Sequence, residues 1–243
     1  MVKILLLNIP FKGEMLQRDF SCPHTSKADY YWPPIDLVAF SGIFHDQELF
    51  FIDGVFENLD ENAIVEKIRD INPDYIFTII SSLSFKEDLK IFKKIKNYYP
   101  NIKICVSGDI CTFEPQTLNK VNEIDFIISD FINQKAIRHI LSSKSSKQIC
   151  PINEKEFSIG NPNYSLFKKY KYSMPYSLHS PIASLITNYG CPFRCKFCNS
   201  NRLSFKFRNM EEIIKDMKNI DSAGIKEVYM RDLTFGIPQI EKI

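Results

Sequence analysis

The sequence predicts an α/β fold: a parallel sheet with helices on both faces, followed by a single strand–helix–strand unit. Three observations predict it. Over the first 140 residues short β-branched and aromatic runs alternate with longer segments of helical period. Those runs are nearly continuous in apolar residues, as strands covered on both faces must be. After a polar stretch, one more strand, helix and strand follow between 182 and 230.

The five expected strands of the first region are Val2 to Leu7, Glu48 to Ile52, Tyr75 to Ile80, Ile102 to Val106 and Phe126 to Ile128. Between them, Ile64, Ile68 and Ile71 recur at helical spacing behind a capping Asp60. Phe85, Leu89, Phe92 and Tyr99 mark a second apolar helix face, opposite Lys90, Lys93 and Lys94, which read as a solvated surface. A parallel sheet of this kind binds ligands beyond the carboxyl ends of its strands. The residues to watch are therefore Asn8 to Phe11, Asp53-Gly54, Ser81 to Ser84, Ser107-Gly108-Asp109 and Ser129-Asp130.

This first region is expected to form a domain over 1–141. Residues 142–181 read as a linker: the run from Ser142 to Lys147 alternates Ser and Lys, and both periodicities fade. Its second half carries Tyr164, Phe167, Tyr170, Tyr172 and Tyr176, too many aromatics for a free tether, so they are expected to lie against a domain surface. The region 182–243 then begins with a strand from Ile182 to Thr187. A helix from Met210 to Ala223 follows, with Asn209 and Glu212 spaced as a capping box, Met210, Ile213, Met217 and Ile220 as its buried face and Gly224 at its end. Glu227 to Met230 is a second strand. One βαβ unit cannot close a barrel, so the chain is expected to be part of a longer protein and poorly soluble alone.

Composition excludes several classes. With 31 Lys+Arg against 29 Asp+Glu, the net charge of +2 gives no bulk attraction to nucleic acid or to an anionic membrane. No apolar run reaches the length of a membrane span, and Ile4 to Leu7 is too short for a signal-peptide core. A cytoplasmic location is expected. Seven cysteines, three of them crowded together, make a poor disulfide scaffold and point to metal or redox chemistry.

The three are Cys191, Cys195 and Cys198, a C-x3-C-x2-C spacing on a loop directly after a strand. Thiolates are soft ligands for iron–sulfur clusters and zinc, and three in one short loop can hold three corners of a cubane, leaving the fourth iron open to a ligand. Zinc would require a fourth ligand, for which Cys150 and His179 are available, neither at a zinc-finger spacing. Three buried structural thiols are the other alternative, which the interleaved Arg194 and Lys196 disfavour. Cys22, Cys105, Cys111 and Cys150 read as structural, with Cys105 inside a strand.

The segment Gly190-Cys-Pro-Phe-Arg-Cys-Lys-Phe-Cys198 resembles the cluster loop of the radical S-adenosylmethionine (radical SAM) enzymes, with Phe197 at the aromatic position before the last cysteine. Met230-Arg231-Asp232-Leu233-Thr234-Phe235-Gly236 is similar to the second-strand motif of the branch that carries an N-terminal cobalamin-binding domain. Trp32-Pro33-Pro34-Ile35-Asp36-Leu37, Phe51-Ile52-Asp53 and Ser107-Gly108-Asp109-Ile110-Cys111-Thr112 resemble the start of the first helix, the second strand end and the Gly-Gly loop of that domain. Asn161-Pro162-Asn163-Tyr164 is similar to the segment leading into its barrel. The sequence departs from the branch in three places. Ser107 replaces the first glycine of the loop, no D-x-H-x-x-G stretch surrounds His24, His45, His139 or His179, and Leu233 stands where many relatives have a second acidic residue.

The resemblance implies a flavodoxin-like N-terminal sheet followed by the first βαβ of a radical SAM partial barrel. It implies a 4Fe-4S cluster on Cys191, Cys195 and Cys198 whose open iron chelates S-adenosylmethionine, with Phe197 near the adenine and Asp232 facing the methionine end. Cobalamin over the N-terminal sheet, near Ser81, Ser107 and Gly108, would make methyl transfer the reaction. An electron-donor protein such as a flavodoxin or ferredoxin and a substrate of unidentified class complete the set. Two other readings stay open: a radical SAM enzyme whose N-terminal domain no longer holds a corrin, and a non-catalytic module that binds cluster or corrin.

Overall fold

A computed structural model of the chain describes residues 1–11, 15–18, 20, 23–26, 30–143, 148–151 and 157–237. Cys22 and the last four residues of the Ser-Lys run, Lys144 to Lys147, lie outside them. The chain opens with β1 (Lys3–Asn8), the short antiparallel pair β2 (Met15–Gln17) and β3 (His24–Ser26), and α1 (Ile35–Ile43). Then come β4 (Glu48–Asp53), α2 (Glu61–Ile71), β5 (Tyr75–Ile79), α3 (Phe85–Tyr98), β6 (Lys103–Ser107), α4 (Asp109–Phe113), β7 (Phe126–Ile128), α5 (Gln134–Ile140) and β8 (Gln148–Cys150). The six longer-range strands form one parallel sheet in the order β4-β1-β5-β6-β7-β8.

The apolar runs explain the sheet. Along β1, Ile4 and Leu6 enter the core cluster shared with α1 and α5, whereas Leu5 and Leu7 enter the one shared with α2 and α3. The same division holds on β5, with Phe77 and Ile79 on one face and Ile76 and Ile80 beyond the other. Period-two side-chain alternation thus feeds two layers from one uninterrupted hydrophobic sequence. Asp60 caps α2 as expected, its carboxylate accepting from the Asn62 and Ala63 amides at 2.9 and 2.8 Å. Lys90 and Lys93 are exposed on α3.

The second region consists of β9 (Ile182–Leu185), the short β10 (Asn188–Tyr189) and β11 (Lys206–Phe207), α6 (Met210–Ser222) and β12 (Glu227–Met230). Strands β9 and β12 pair in parallel with α6 between them, the expected βαβ unit. Its residues Ile182, Ala183, Leu185, Ile213 and Ile220 belong to the same buried cluster as α1. Every residue of α1 is buried.

Five expectations are corrected. The stretch 142–181 contributes β8, whose three residues pair with β7, so Cys150 sits in the sheet and is buried; a three-residue strand is too short to show a period. Tyr164, Phe167, Tyr170 and Tyr172 are buried as expected, but Tyr176 is 99% exposed, in a turn at φ 69°. The strand from Ile182 stops at Leu185, because Thr187 is drawn into side-chain bonds described below. The capping box does not form: Asn209 accepts from the Glu211 amide, and Glu212 bonds Ser158 and Arg208 instead. Met210 and Met217 are exposed, and the inward stripe of α6 is Ile213, Asp216 and Ile220, since Arg208 and Tyr164 draw Asp216 inward. Among the described residues no helix is long and apolar enough to cross a membrane.

Candidate functional site

Two regions hold the expected site residues: the carboxyl edge of the six-stranded sheet and the cysteine loop after β9.

At the sheet edge, β1 and β5 are the neighbours between which strand order reverses, and the crevice there is filled by the protein itself. The Arg18 guanidinium donates to the Ile9 carbonyl at 2.6 Å, to Asn8 Oδ1 at 3.3 Å and to Asp88 at 2.6 Å, fully buried. Asn8 Nδ2 donates to the Tyr31 hydroxyl and to Asp53, and Tyr172 donates to the other Asp53 oxygen at 2.5 Å. Burial pushes the Asp53 carboxyl up to about 6 despite the Tyr172 hydroxyl, and it pushes the Tyr31 and Tyr172 hydroxyls up as well.

Ser81 and Ser107 are buried beneath this edge. Ser81 Oγ accepts from the Leu83 amide, and Ser107 Oγ donates to Asp36 at 2.8 Å. Asp36 is itself buried, which raises its carboxyl to about 7 against the Ser107 hydrogen bond. Gly108 has φ 118°, and a Cβ there would stand 2.0 Å from the Ile80 carbonyl oxygen, so its missing side chain lets β6 turn closely past the end of β5. Asp109 then accepts from the Ser82 amide and hydroxyl. Ser81, Ser107 and Gly108 therefore build the edge, the two serine hydroxyls bonded to the protein's own groups and the Gly108 backbone packed against Ile80. A neighbouring cleft of about 320 Å³, lined by Pro10, Leu59, Asp60, Glu87 and Lys90, includes none of the three.

The cysteine loop is a lobe between β10 and β11, which pair antiparallel and close its base. Gly190 opens it at φ 75°, where a Cβ would lie 2.6 Å from the Ser204 carbonyl oxygen. Cys191 is half-buried, Cys195 is exposed and Cys198 is half-buried, and the Cys198 amide donates to the Cys195 carbonyl at 3.1 Å. Phe197 is 93% exposed. Among the described residues no group of three His, Cys, Asp or Glu side chains stands close enough to hold a metal ion, so the three cysteines are on one lobe without being gathered. Cys150, one candidate for a fourth zinc ligand, is committed elsewhere, its thiol directed at the Ala136 carbonyl. Soft thiol donors on an accessible lobe at a strand end still fit a cluster by their chemistry.

Asp232, just past β12, holds the strand that leads into the lobe. Its carboxylate accepts from the Thr187 amide at 2.6 Å, the Thr187 hydroxyl at 2.5 Å and the Asn188 amide at 3.0 Å. Asn188 Nδ2 donates to the Thr234 carbonyl, and the Thr234 hydroxyl lies 3.0 Å from Cys191 Sγ. Arg231 stacks over Trp32 and Tyr229 at 4.9 and 5.3 Å, and burial lowers its guanidinium to about 10. Sequence reasoning missed Thr187, Asn188 and Thr234 as partners; their signal was adjacency to the two motifs. It also missed Arg18, for which no local pattern gives notice.

No family model matches the chain. It is 24% identical over 229 residues to an uncharacterized methyltransferase of Pyrococcus horikoshii, covering 84% of this chain and 49% of that protein. The structure is similar to the cobalamin-dependent S-adenosylmethionine radical enzyme OxsB with aqua-cobalamin bound, at TM-score 0.66 and 16% identity over 97% of this chain and 34% of that one. Against apo OxsB the TM-score is 0.62, at 16% identity over 98% and 35%. The chain thus spans about half the length of the curated relative and a third of the structural one, and shares the α/β fold of the latter.

Proposed function

We propose that the chain is part of a radical SAM enzyme, of the type that carries a cobalamin-binding-like N-terminal domain, here taking in β8 (Gln148–Cys150), then a connecting segment up to 181 and the start of the radical SAM domain from 182. The observation that carries this reading is the C-x3-C-x2-C lobe set at the carboxyl end of β9, in a βαβ unit whose second strand delivers Asp232 back to the lobe's stem. The likeness of fold to OxsB supports the radical SAM reading, and the relation to a methyltransferase supports methyl transfer as the reaction class.

Cys191, Cys195 and Cys198 would hold a 4Fe-4S cluster. When bound, such a cluster supplies the electron that cleaves the sulfonium of S-adenosylmethionine reductively, fed by a donor protein such as a flavodoxin or ferredoxin. The chain's own part is positional. Asp232 fixes the backbone of Thr187 and Asn188, Gly190 turns the chain out into the lobe, and Phe197 offers an exposed ring for a nucleobase.

A second reading, radical chemistry without a corrin, is favoured by one observation: Arg18, Asp53, Tyr31 and Tyr172 fill the sheet edge and Ser107 is buried against Asp36. Anaerobic reconstitution with iron and sulfide, with and without hydroxocobalamin, tests both. A broad thiolate-to-iron band that disappears when the three cysteines become Ala supports the cluster. A corrin band retained after desalting supports the cobalamin type, and its loss the second reading. Failure to bind iron, or zinc in its place, overturns the radical proposal.

A further inference from the structure

We propose that Thr234 is a positioning residue for Cys191, its hydroxyl donating a hydrogen bond to the sulfur and thereby setting the reduction potential of the metal centre this cysteine would ligate. The inference rests on the cluster reading above and adds to it a residue outside the cysteine loop.

Cys191 Sγ and Thr234 Oγ1 lie 3.0 Å apart, with the threonine half-buried. Between a thiol and a hydroxyl either atom can donate, but a metal-bound thiolate carries no hydrogen, so the hydroxyl must then be the donor. The position of that hydroxyl is built rather than incidental. Asn188, two residues before the lobe's opening glycine, donates through Nδ2 to the Thr234 carbonyl at 3.0 Å. Two residues earlier along the same segment, Asp232 accepts from the Thr187 and Asn188 amides. Four links thus tie 232–234 to 187–191, and the last ends on sulfur.

Hydrogen bonds to cluster sulfurs lower the electron density there and favour the reduced form, which bears more negative charge. Removing this one makes the centre harder to reduce. A bond that strengthens on reduction by about the net worth of one ordinary hydrogen bond corresponds to about a tenfold change in the oxidised-to-reduced ratio, or ~59 mV for a one-electron couple.

The test is a redox titration of the reconstituted chain, followed by electron paramagnetic resonance, for wild type, Thr234→Val, Thr234→Ala and Thr234→Ser. At the wild-type midpoint, Val and Ala are expected to leave about ten oxidised centres per reduced one, at unchanged iron content, and Ser is expected to restore the wild-type ratio. Iron uptake with all four midpoints equal overturns the role of Thr234 and leaves the cluster standing. A Ser variant that behaves like Val also overturns it, because packing and not the hydroxyl would then be responsible. If wild type takes up no iron, the cluster reading fails and this inference with it. Should Val fail to fold, the smaller Ala variant decides by the same ratio.

Discussion

Arg18 and Asp88 meet at 2.6 Å with both side chains wholly withdrawn from water, joining the segment after β1 to the first turn of α3 across the point where strand order reverses. In open parallel sheets that crevice is where ligands lodge. Here a guanidinium occupies it and also satisfies the Ile9 carbonyl and Asn8. Burial raises the Asp88 carboxyl and the Arg18 charge opposes that rise.

Breaking this pair leaves one buried charge without its partner. Arg18→Ala and Asp88→Ala are each expected to cost about 3–5 kcal/mol in urea unfolding, and the double replacement by Met and Leu less than the sum. Additive costs would show that the pair does not act as a unit.

Stability is expected to fall as pH rises from about 4 to about 7. Asp36 and Asp53 are raised from 3.8 to about 7 and about 6 by burial, so between these values the folded chain holds protons that the unfolded chain has released. Unfolding then releases protons, and its free energy declines with increasing pH. The contribution is complete below the unfolded value and is lost through the folded one. Asp36→Asn still accepts from Ser107 and flattens this slope; an equally steep decline in that variant, followed by urea midpoints, would sink the assignment to Asp36.

Asp232→Ala removes the acceptor for two amides and a hydroxyl. The expected result is faster hydrogen exchange at the Thr187 and Asn188 amides, by roughly 1–3 kcal/mol of local opening, with the six-stranded sheet unchanged. Unaltered exchange at these two amides would show that the clamp is not needed.

Gly108→Ala is expected to destabilise the chain by at least about 1–3 kcal/mol, since φ 118° is strained for an L residue and the new Cβ would meet the Ile80 carbonyl oxygen at 2.0 Å. Ser107→Ala loses one hydrogen bond to Asp36 and is expected to cost less, about 1 kcal/mol. Thermal melts that reverse this order would contradict the close approach of β6 to β5.

The strands β1, β4, β5, β6 and β7, the α2 cap and the βαβ unit were legible in the sequence because each follows from local chemistry: continuous apolar runs, a carboxylate before a helix, a glycine after one. The cysteine lobe was legible for the same reason, as its donors lie within eight residues of one another. Less local features were not. Strand β8 exists because β7 offers it a free edge, and Met217 faces water because Asp216, drawn in by Arg208, takes the inward position.

By itself, then, the sequence determined the main strands and helices of both regions and the close spacing of three soft thiols, since these depend on neighbours within a few positions. Only the tertiary structure decided that Arg18 fills the sheet's crevice, that Ser81 and Ser107 are buried at its edge, and that Asp232 and Thr234 reach the stem and sulfur of the cysteine lobe. The Arg18–Asp88, Ser107–Asp36, Asp232–Thr187 and Thr234–Cys191 contacts join residues 43 to 71 positions apart. A hydrogen bond at such separation depends on the packing of the whole core, and no period or motif within one segment encodes it.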